Sequence, residues 1–294
     1  MLSLTLVITG VLVLTAVVYV RGWLCLRKAF PELIAGWRLA AFISGLFLVW
    51  IAVASPLAAL DHRSLTIHMM KHLMLMTVAA PLLLAGAPAF PLVCGFPRLF
   101  IKSDRPFGSW SARWLERALM RPVLCWLAGT TAVIGWHLPA AFQLGMRSHW
   151  VHSLEDGTFL LAGLLFWWPI ITAQPLLAET RFNEATLTTT TSWSVPLYLF
   201  MATLPCDILG AFLVFGNRLV YPHYLSAMQL VSLSPLQDQE TAGALMWVWV
   251  TFAYLIPAFV ITVQLLSPQT AYASAPARAT PAAPSMHGSE AEVL

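Results

Sequence analysis

Seven apolar stretches, separated by shorter polar ones, follow one another along most of the chain. They cover residues 2–24, 37–60, 65–87, 121–138, 151–173, 189–215 and 241–266. An α-helix of about 20 residues crosses the hydrocarbon layer of a bilayer, and each stretch is near that length. The pattern predicts an all-α, polytopic membrane protein in which residues 1–267 form one domain of seven transmembrane helices.

Composition narrows the class further. The chain is 59% hydrophobic and 10% charged, with a mean hydropathy of +0.76, which excludes a soluble domain and makes the lipid bilayer its solvent. Its four cysteines form no CxxC motif, so neither a disulfide framework nor a thiolate zinc site is expected. No Ser-His-Asp order, phosphate-binding loop or kinase signature is present, so ordinary hydrolase and nucleotide chemistry have no support, and no nucleic-acid partner is expected.

Lys and Arg residues are distributed unevenly between the predicted loops. Twelve fall on one side of the membrane, and three, Arg63, Arg147 and Arg218, fall on the other. Cytoplasmic loops carry the excess of positive charge, so the N-terminus is predicted outside and the C-terminus in the cytoplasm. A basic, aromatic-rich segment at 96–119 is then a cytoplasmic amphipathic segment, and the Ala- and Pro-rich residues 268–294 form a disordered cytoplasmic tail.

The third apolar stretch carries ionisable groups in its first turns. At 100° per residue, His68, His72, Met69 and Met76 share one helical stripe, with Lys71 beside it. Two imidazoles four residues apart on one face can hold a single metal ion. Hydrogen bonding from helix to helix is the alternative role for such histidines.

Most of the remaining histidines also lie on the predicted outer side of the membrane. Seven of the eight map to outer helix ends or outer loops: His62, His68, His72, His137, His149, His152 and His223. On the fifth helix, the pattern places His149, His152 and Asp156 on one face and Glu155 on another. Ionisable groups at several helix ends are costly in a membrane unless they pair or bind something, which favours a shared polar site.

The candidate metal ligands from this pattern are imidazole, thioether and carboxylate groups. They are His68, His72, His137, His149, His152, Met69 and Asp238, the last from the start of the seventh helix. Imidazole with Met suits copper, and imidazole with carboxylate also suits zinc or Fe(II). Haem held between histidines, and proton-coupled or copper transport through Lys71, Asp156 and Asp207, remain open.

Several ordered motifs resemble the multi-span CtaG family of cytochrome c oxidase assembly factors. They comprise His68-Met69 through His72, Pro81-Leu82-Leu83, Gly86-Ala87-Pro88, Trp136-His137-Leu138-Pro139, His152 to Glu155, Phe166 to Pro169, Leu209-Gly210-Ala211, Tyr221 to Tyr224, and Asp238-Gln239 with Ala242-Gly243 and Met246-Trp247. The resemblance implies a non-enzymatic role in building a haem-copper oxidase in the bacterial plasma (inner) membrane, through copper at the outer face. It implies oxidase subunits as partners, with periplasmic copper chaperones as further candidates.

Two positions depart from the family pattern. Lys71 stands where the family usually has Gln, and Asp156 stands where it usually has a second His. We expect this cation and anion to pair across the third and fifth helices. Such a pair would take Asp156 away from the metal; without it, Asp156 would be a candidate ligand.

Overall fold

The computed structural model describes residues 2–29, 35–96, 119, 121–173, 193–225 and 233–266. Its helices are α1 (Leu2–Ala29), α2 (Gly36–Val53), α3 (Leu65–Met74), α4 (Ala80–Ala85), α5 (Ala89–Gly95), α6 (Pro122–His137), α7 (Pro139–Arg147), α8 (His149–Ala173), α9 (Ser194–Phe215) and α10 (Pro235–Leu266). A π-helical turn, Leu75–Ala79, joins α3 to α4, and 3₁₀ turns cover Pro56–Leu60 and Pro222–Leu225. No strand occurs within these ranges, so the all-α prediction is confirmed for them. The predicted tail and nearly all of the basic segment lie outside the described residues.

Six of the described helical stretches are long and apolar enough to cross a bilayer. They are Leu4–Lys28, Gly36–Leu60, Leu65–Ala85, His149–Ile171, Ser194–Phe215 and Pro235–Leu266. The protein is therefore a multi-pass membrane protein. The remaining predicted span, the fourth (residues 121–138), corresponds to α6, which counts as a seventh span only if it is taken together with α7 as one bent pair.

The fourth predicted segment ends at a sharp corner. Helix α6 closes at His137, and α7 begins at Pro139 after a bend of 74°. Leu138 between them is extended, with φ −63° and ψ 129°, because a residue before proline is pushed out of the helical region. The 16 residues of α6 alone span about 24 Å, somewhat less than the hydrocarbon core.

The third span is interrupted at its centre by the π-helical turn. In that turn the Ala80 N–H donates to Leu75 O, so Met76 O would need a donor from residue 81, which is a proline without an N–H. The Trp167 indole donates to Met76 O instead, at 3.1 Å. The break in the helix therefore has a local cause and a specific partner on α8.

The described helices form two packed groups. One core joins α3, α6, α8, α9 and α10, and the other joins α1 and α2 to the far end of the third span. Gly210 and Gly243 bring α9 and α10 together, since a Cβ on either would lie 2.8–2.9 Å from the other's carbonyl oxygen. The candidate histidines and carboxylates lie on or beside helices of the first group.

Candidate metal centre

The predicted histidines gather in space at one end of the bundle. The His62 ring lies 5.1 Å from the His152 ring, 6.2 Å from the His149 ring and 6.3 Å from the His223 ring. From His152 the series continues to His68 at 5.6 Å. The His72 ring lies 4.4 Å from the His68 ring, and His137 lies on the adjacent end of α6. His287 falls outside the described residues.

Three ligand atoms converge at the base of this group. His68 Nε2 lies 3.0 Å from His72 Nε2, and both lie 3.4 Å from Glu155 Oε1. A tetrahedral ion with ligands at about 2.0–2.1 Å has ligand–ligand edges of about 3.3–3.4 Å. The three side chains are at most 3% exposed. We refer to His68, His72 and Glu155 as the triad.

Glu155 lies in the site, so the prediction that it faces away from the other polar residues of the fifth helix is wrong. The pattern grouped His149 with His152 and Asp156, but His149 is exposed, whereas the buried stripe of α8 contains His152, Glu155 and Asp156. Glu155 and Asp156 lie three and four residues after His152, so both share its side of the helix. The spacing His-x-x-Glu contained this signal once His152 was taken as the centre.

A second polar cluster surrounds the Lys71 ammonium. Its Nζ lies 2.8 Å from Asp156 Oδ1, the partner expected from the sequence, and 2.6 Å from Asp61 Oδ2. It also lies 2.8 Å from His152 Nε2, which is itself 2.8 Å from Asp61 Oδ2. Asp61, in the connection before α3, was not predicted because loop residues carry no helical periodicity.

Negative charge exceeds the fixed positive charge in this region. Asp61, Glu155 and Asp156 are at most 5% exposed, and Lys71 supplies one permanent cation among them. Burial would raise the pKa of the Asp61 carboxyl, but the contacts with His152 and Lys71 outweigh it and hold that pKa well below its ordinary range. The His152 imidazole, which contacts both Asp61 and Glu155, compensates part of this charge when protonated, and a bound cation would compensate the rest.

His62 borders the cluster on its more open side. Burial lowers the pKa of its imidazole below the ordinary 6.5, although Asp61 opposes the shift. Asp61, His62 and His152 place one ligand atom each within 4.8 Å of one another, as do the members of the triad. The imidazole of His62 is thus favoured in its neutral form, which is the form that binds metals.

His137 and Met69 meet on the other side of the triad. His137 Nε2 lies 3.3 Å from Met69 Sδ, and His137 Nδ1 lies 2.7 Å from Val133 O. The Tyr221 hydroxyl donates to His137 O at 2.9 Å and so fixes the end of α6. These two predicted ligands therefore contact each other and lie beside the triad without belonging to it.

Asp238 has a different role from the predicted one. Its carboxylate accepts hydrogen bonds from Leu65 N at 2.6 Å, Thr66 N at 3.3 Å, Ser64 Oγ at 2.9 Å and Thr66 Oγ1 at 2.7 Å. These donors form the N-terminus of α3, where a carboxylate is favoured by the unpaired N–H groups and the helix dipole. Asp238 thus caps α3, and among the described residues it belongs to neither group of converging ligand atoms; His149 lies at the exposed rim.

Comparison with known families decides the relationship. The family model for cytochrome c oxidase caa3 assembly factors, Caa3_CtaG, matches residues 17–267. The chain belongs to this family. The CtaG match includes every described residue of the triad and of the Lys71 cluster. Neither a curated protein nor a solved structure matches the chain.

The family's description states a role in assembling cytochrome c oxidase. The resemblance drawn from the sequence motifs is thus confirmed at the level of the CtaG family. Such a description points to a protein that helps to build an enzyme, and the ligand cluster must be interpreted in that setting.

Proposed function

We propose that this protein holds or passes copper during the assembly of a haem-copper oxidase. The observation that carries the proposal is the triad: two imidazoles and one carboxylate, buried in a membrane bundle, with ligand atoms 3.0–3.4 Å apart. Membership of an oxidase assembly family supplies the context, because the enzyme being built contains copper.

The triad would hold the ion through His68 Nε2, His72 Nε2 and Glu155 Oε1. The carboxylate contributes a negative charge that offsets the cost of placing a cation in the bundle. Three protein ligands leave a fourth position open, which suits a site that must accept and release its ion. Bound copper would supply no chemistry of its own here, since it is the cargo and the role is non-enzymatic.

Zinc also accepts two imidazoles and a carboxylate, so the triad by itself does not select copper. Haem fits less well. His68 and His72 come from one helix with their Nε2 atoms 3.0 Å apart, whereas two axial ligands must face each other across a macrocycle. The oxidase context favours copper among the metals that the donors accept.

A copper or proton-coupled transporter is the second candidate and needs a polar route towards the opposite side. A cavity deeper in the bundle is lined mainly by apolar and aromatic side chains, including Trp126, Val133, Phe166 and Ala202. Its polar groups are few and uncharged: the hydroxyls of Thr130 and Tyr254, the thiol of Cys206 and the indole N–H of Trp126. This lining supports retention of an ion near one end over its passage across the membrane.

The outer face of the bacterial plasma membrane is the proposed location of the site. The charge bias of the loops supports that orientation, since the histidine-rich end coincides with the side poor in Lys and Arg. Oxidase subunits that receive copper, and periplasmic chaperones that deliver it, would reach the site from that side.

The test is carried out in cells. Deleting the gene should lower oxidase activity under copper limitation, and added copper should restore part of it, because the missing step is metal supply. Complementation with His72→Asn or Glu155→Gln should fail, whereas the rim variant His149→Asn should succeed. Normal oxidase activity in the copper-limited deletion strain would contradict the proposal.

A further inference from the structure

A small cavity lies beside the triad, on the side facing the centre of the bundle. It has a volume of about 20 Å³, enough for one water-sized species. Six of its lining residues carry nitrogen or sulfur donors: Met69, His72, Met76, His137, Cys206 and Met246. These side chains come from α3, the π-helical turn, α6, α9 and α10, and Phe159 of α8 also lines the cavity, so it lies where five spans of the bundle meet.

The His137–Met69 contact indicates what this cavity can bind. Val133 O can only accept a hydrogen bond, so His137 Nδ1 must carry the hydrogen across the 2.7 Å contact. In the neutral imidazole, Nε2 then carries a lone pair and faces Met69 Sδ, another acceptor, at 3.3 Å. Two lone-pair atoms facing each other in this way are stabilised by a cation between them.

The separation is suitable for a shared ion. With metal–nitrogen and metal–sulfur distances of about 2.0 and 2.3 Å, a 3.3 Å edge corresponds to an angle of about 100° at the metal. The hydrogen bond from His137 Nδ1 to a backbone carbonyl is the second-shell contact typical of metal-binding histidines. Both features are present without any displacement of the two side chains.

The donor set selects the kind of ion. Thioether and thiol sulfur are soft ligands that favour Cu(I), and no carboxylate lines the cavity among the described residues. A monovalent ion also brings less charge into an apolar interior than a divalent one. The triad next to it, with its carboxylate, suits a divalent ion instead.

We propose that this cavity is a second metal site, specific for a soft monovalent ion and occupied by Cu(I). His137 Nε2 and Met69 Sδ are its primary ligands, and Met76, Met246 and Cys206, which line the same cavity, would complete the shell. The identity of the ion as copper rests on the proposed function. Because His72 belongs to the triad and also lines the cavity, it connects the two sites.

Ag(I), a redox-inert probe for Cu(I) sites, tests this proposal on the purified full-length protein. Met69→Leu and Met246→Leu remove sulfur at nearly constant volume, and each should weaken Ag(I) binding at least tenfold. Met70→Leu, which changes an exposed methionine beside Met69, is the matched control and should leave the affinity unchanged. Co(II) binding at the triad should survive Met69→Leu and be lost in Glu155→Gln.

Unchanged Ag(I) affinity in both Met69→Leu and Met246→Leu would overturn the second site. X-ray absorption on the Ag(I)-loaded native protein gives an answer that does not depend on how the variants fold. Sulfur neighbours around silver are expected, and a shell of nitrogen and oxygen alone would overturn the proposal. Failure of the native protein to bind Co(II), with its Ag(I) binding intact, would contradict the triad and leave the soft site standing.

Discussion

Lys71 is held by two carboxylates rather than by the single one expected from the sequence. Its ammonium lies 2.6 Å from Asp61 and 2.8 Å from Asp156, and its side chain is 5% exposed. Buried ion pairs persist only with such close contacts, and removing one partner leaves the other charge uncompensated. Lys71 thus holds the Asp156 carboxylate, whose Oδ1 lies 2.8 Å from the ammonium and 3.7 Å from His72 Nδ1 of the triad.

A double-mutant cycle measures this coupling. Lys71→Gln should destabilise the protein by about 3–5 kcal/mol, because it strands two carboxylates. Asp156→His should cost less, since Asp61 still neutralises the ammonium, and the double variant should recover only part of the loss. Thermal unfolding in detergent provides the measurement. Additive effects, with coupling below about 0.5 kcal/mol, would show that the two residues do not interact.

At the scale of single residues, the sequence predicted the site residues that lie on helices better than those that lie in loops. His68 and His72 follow from i,i+4 spacing, and Lys71 was placed correctly beside them. Asp61 lies in a connection, where no period relates it to α3. Glu155 was missed because its face depended on which histidine of α8 is buried, a question of packing that spacing alone does not answer.

Among the elements, the start of α3 depends on a residue from another helix. Asp238 was predicted as a metal ligand, but from the first turn of α10 its carboxylate accepts four hydrogen bonds at the N-terminus of α3. Periodicity within α10 does not indicate a contact with the start of another helix, because that contact depends on how α10 and α3 pack. The π-helical turn was equally beyond prediction, since it depends on Trp167 from α8.

Asp238→Asn separates the capping role from the ligand role. The amide lacks the negative charge and one acceptor, so stability should fall by about 1–3 kcal/mol. Copper affinity of the folded protein should stay within a factor of two, because Asp238 belongs to neither proposed site. Glu240→Gln, on the same helix, is the control and should change neither property. A tenfold loss of copper affinity in Asp238→Asn alone would return this residue to the ligand set.

At the scale of the whole molecule, periodicity and hydropathy predicted the helical membrane class, and six spans appeared near their expected positions. The fourth was predicted as a simple span and is instead part of a bent pair, because Pro139 redirects the chain. How the helices pack cannot be read from apolar stretches that all look alike. The seven histidines could be predicted to lie at one end of the bundle because the Lys and Arg counts in the loops assigned their helix ends and loops to the same side of the membrane.

The orientation of the bundle is a prediction with its own test. A reporter that works only in the cytoplasm, fused after Leu294, should be active, because the side rich in Lys and Arg is expected to remain inside. A reporter that works only in the periplasm should be active when inserted beside Arg218. The reverse pattern would place the triad on the cytoplasmic face and contradict delivery of copper from outside.

Copper binding to the purified native protein tests the central claim most directly. Electron paramagnetic resonance of the Cu(II)-loaded protein should show coupling to two imidazole nitrogens, from His68 and His72. That signal, and the bound copper found by elemental analysis under oxidising conditions, should be lost in Glu155→Gln and His72→Asn and kept in His149→Asn. A native protein that binds no copper, or one whose Cu(II) signal is unchanged in both triad variants, would contradict the account.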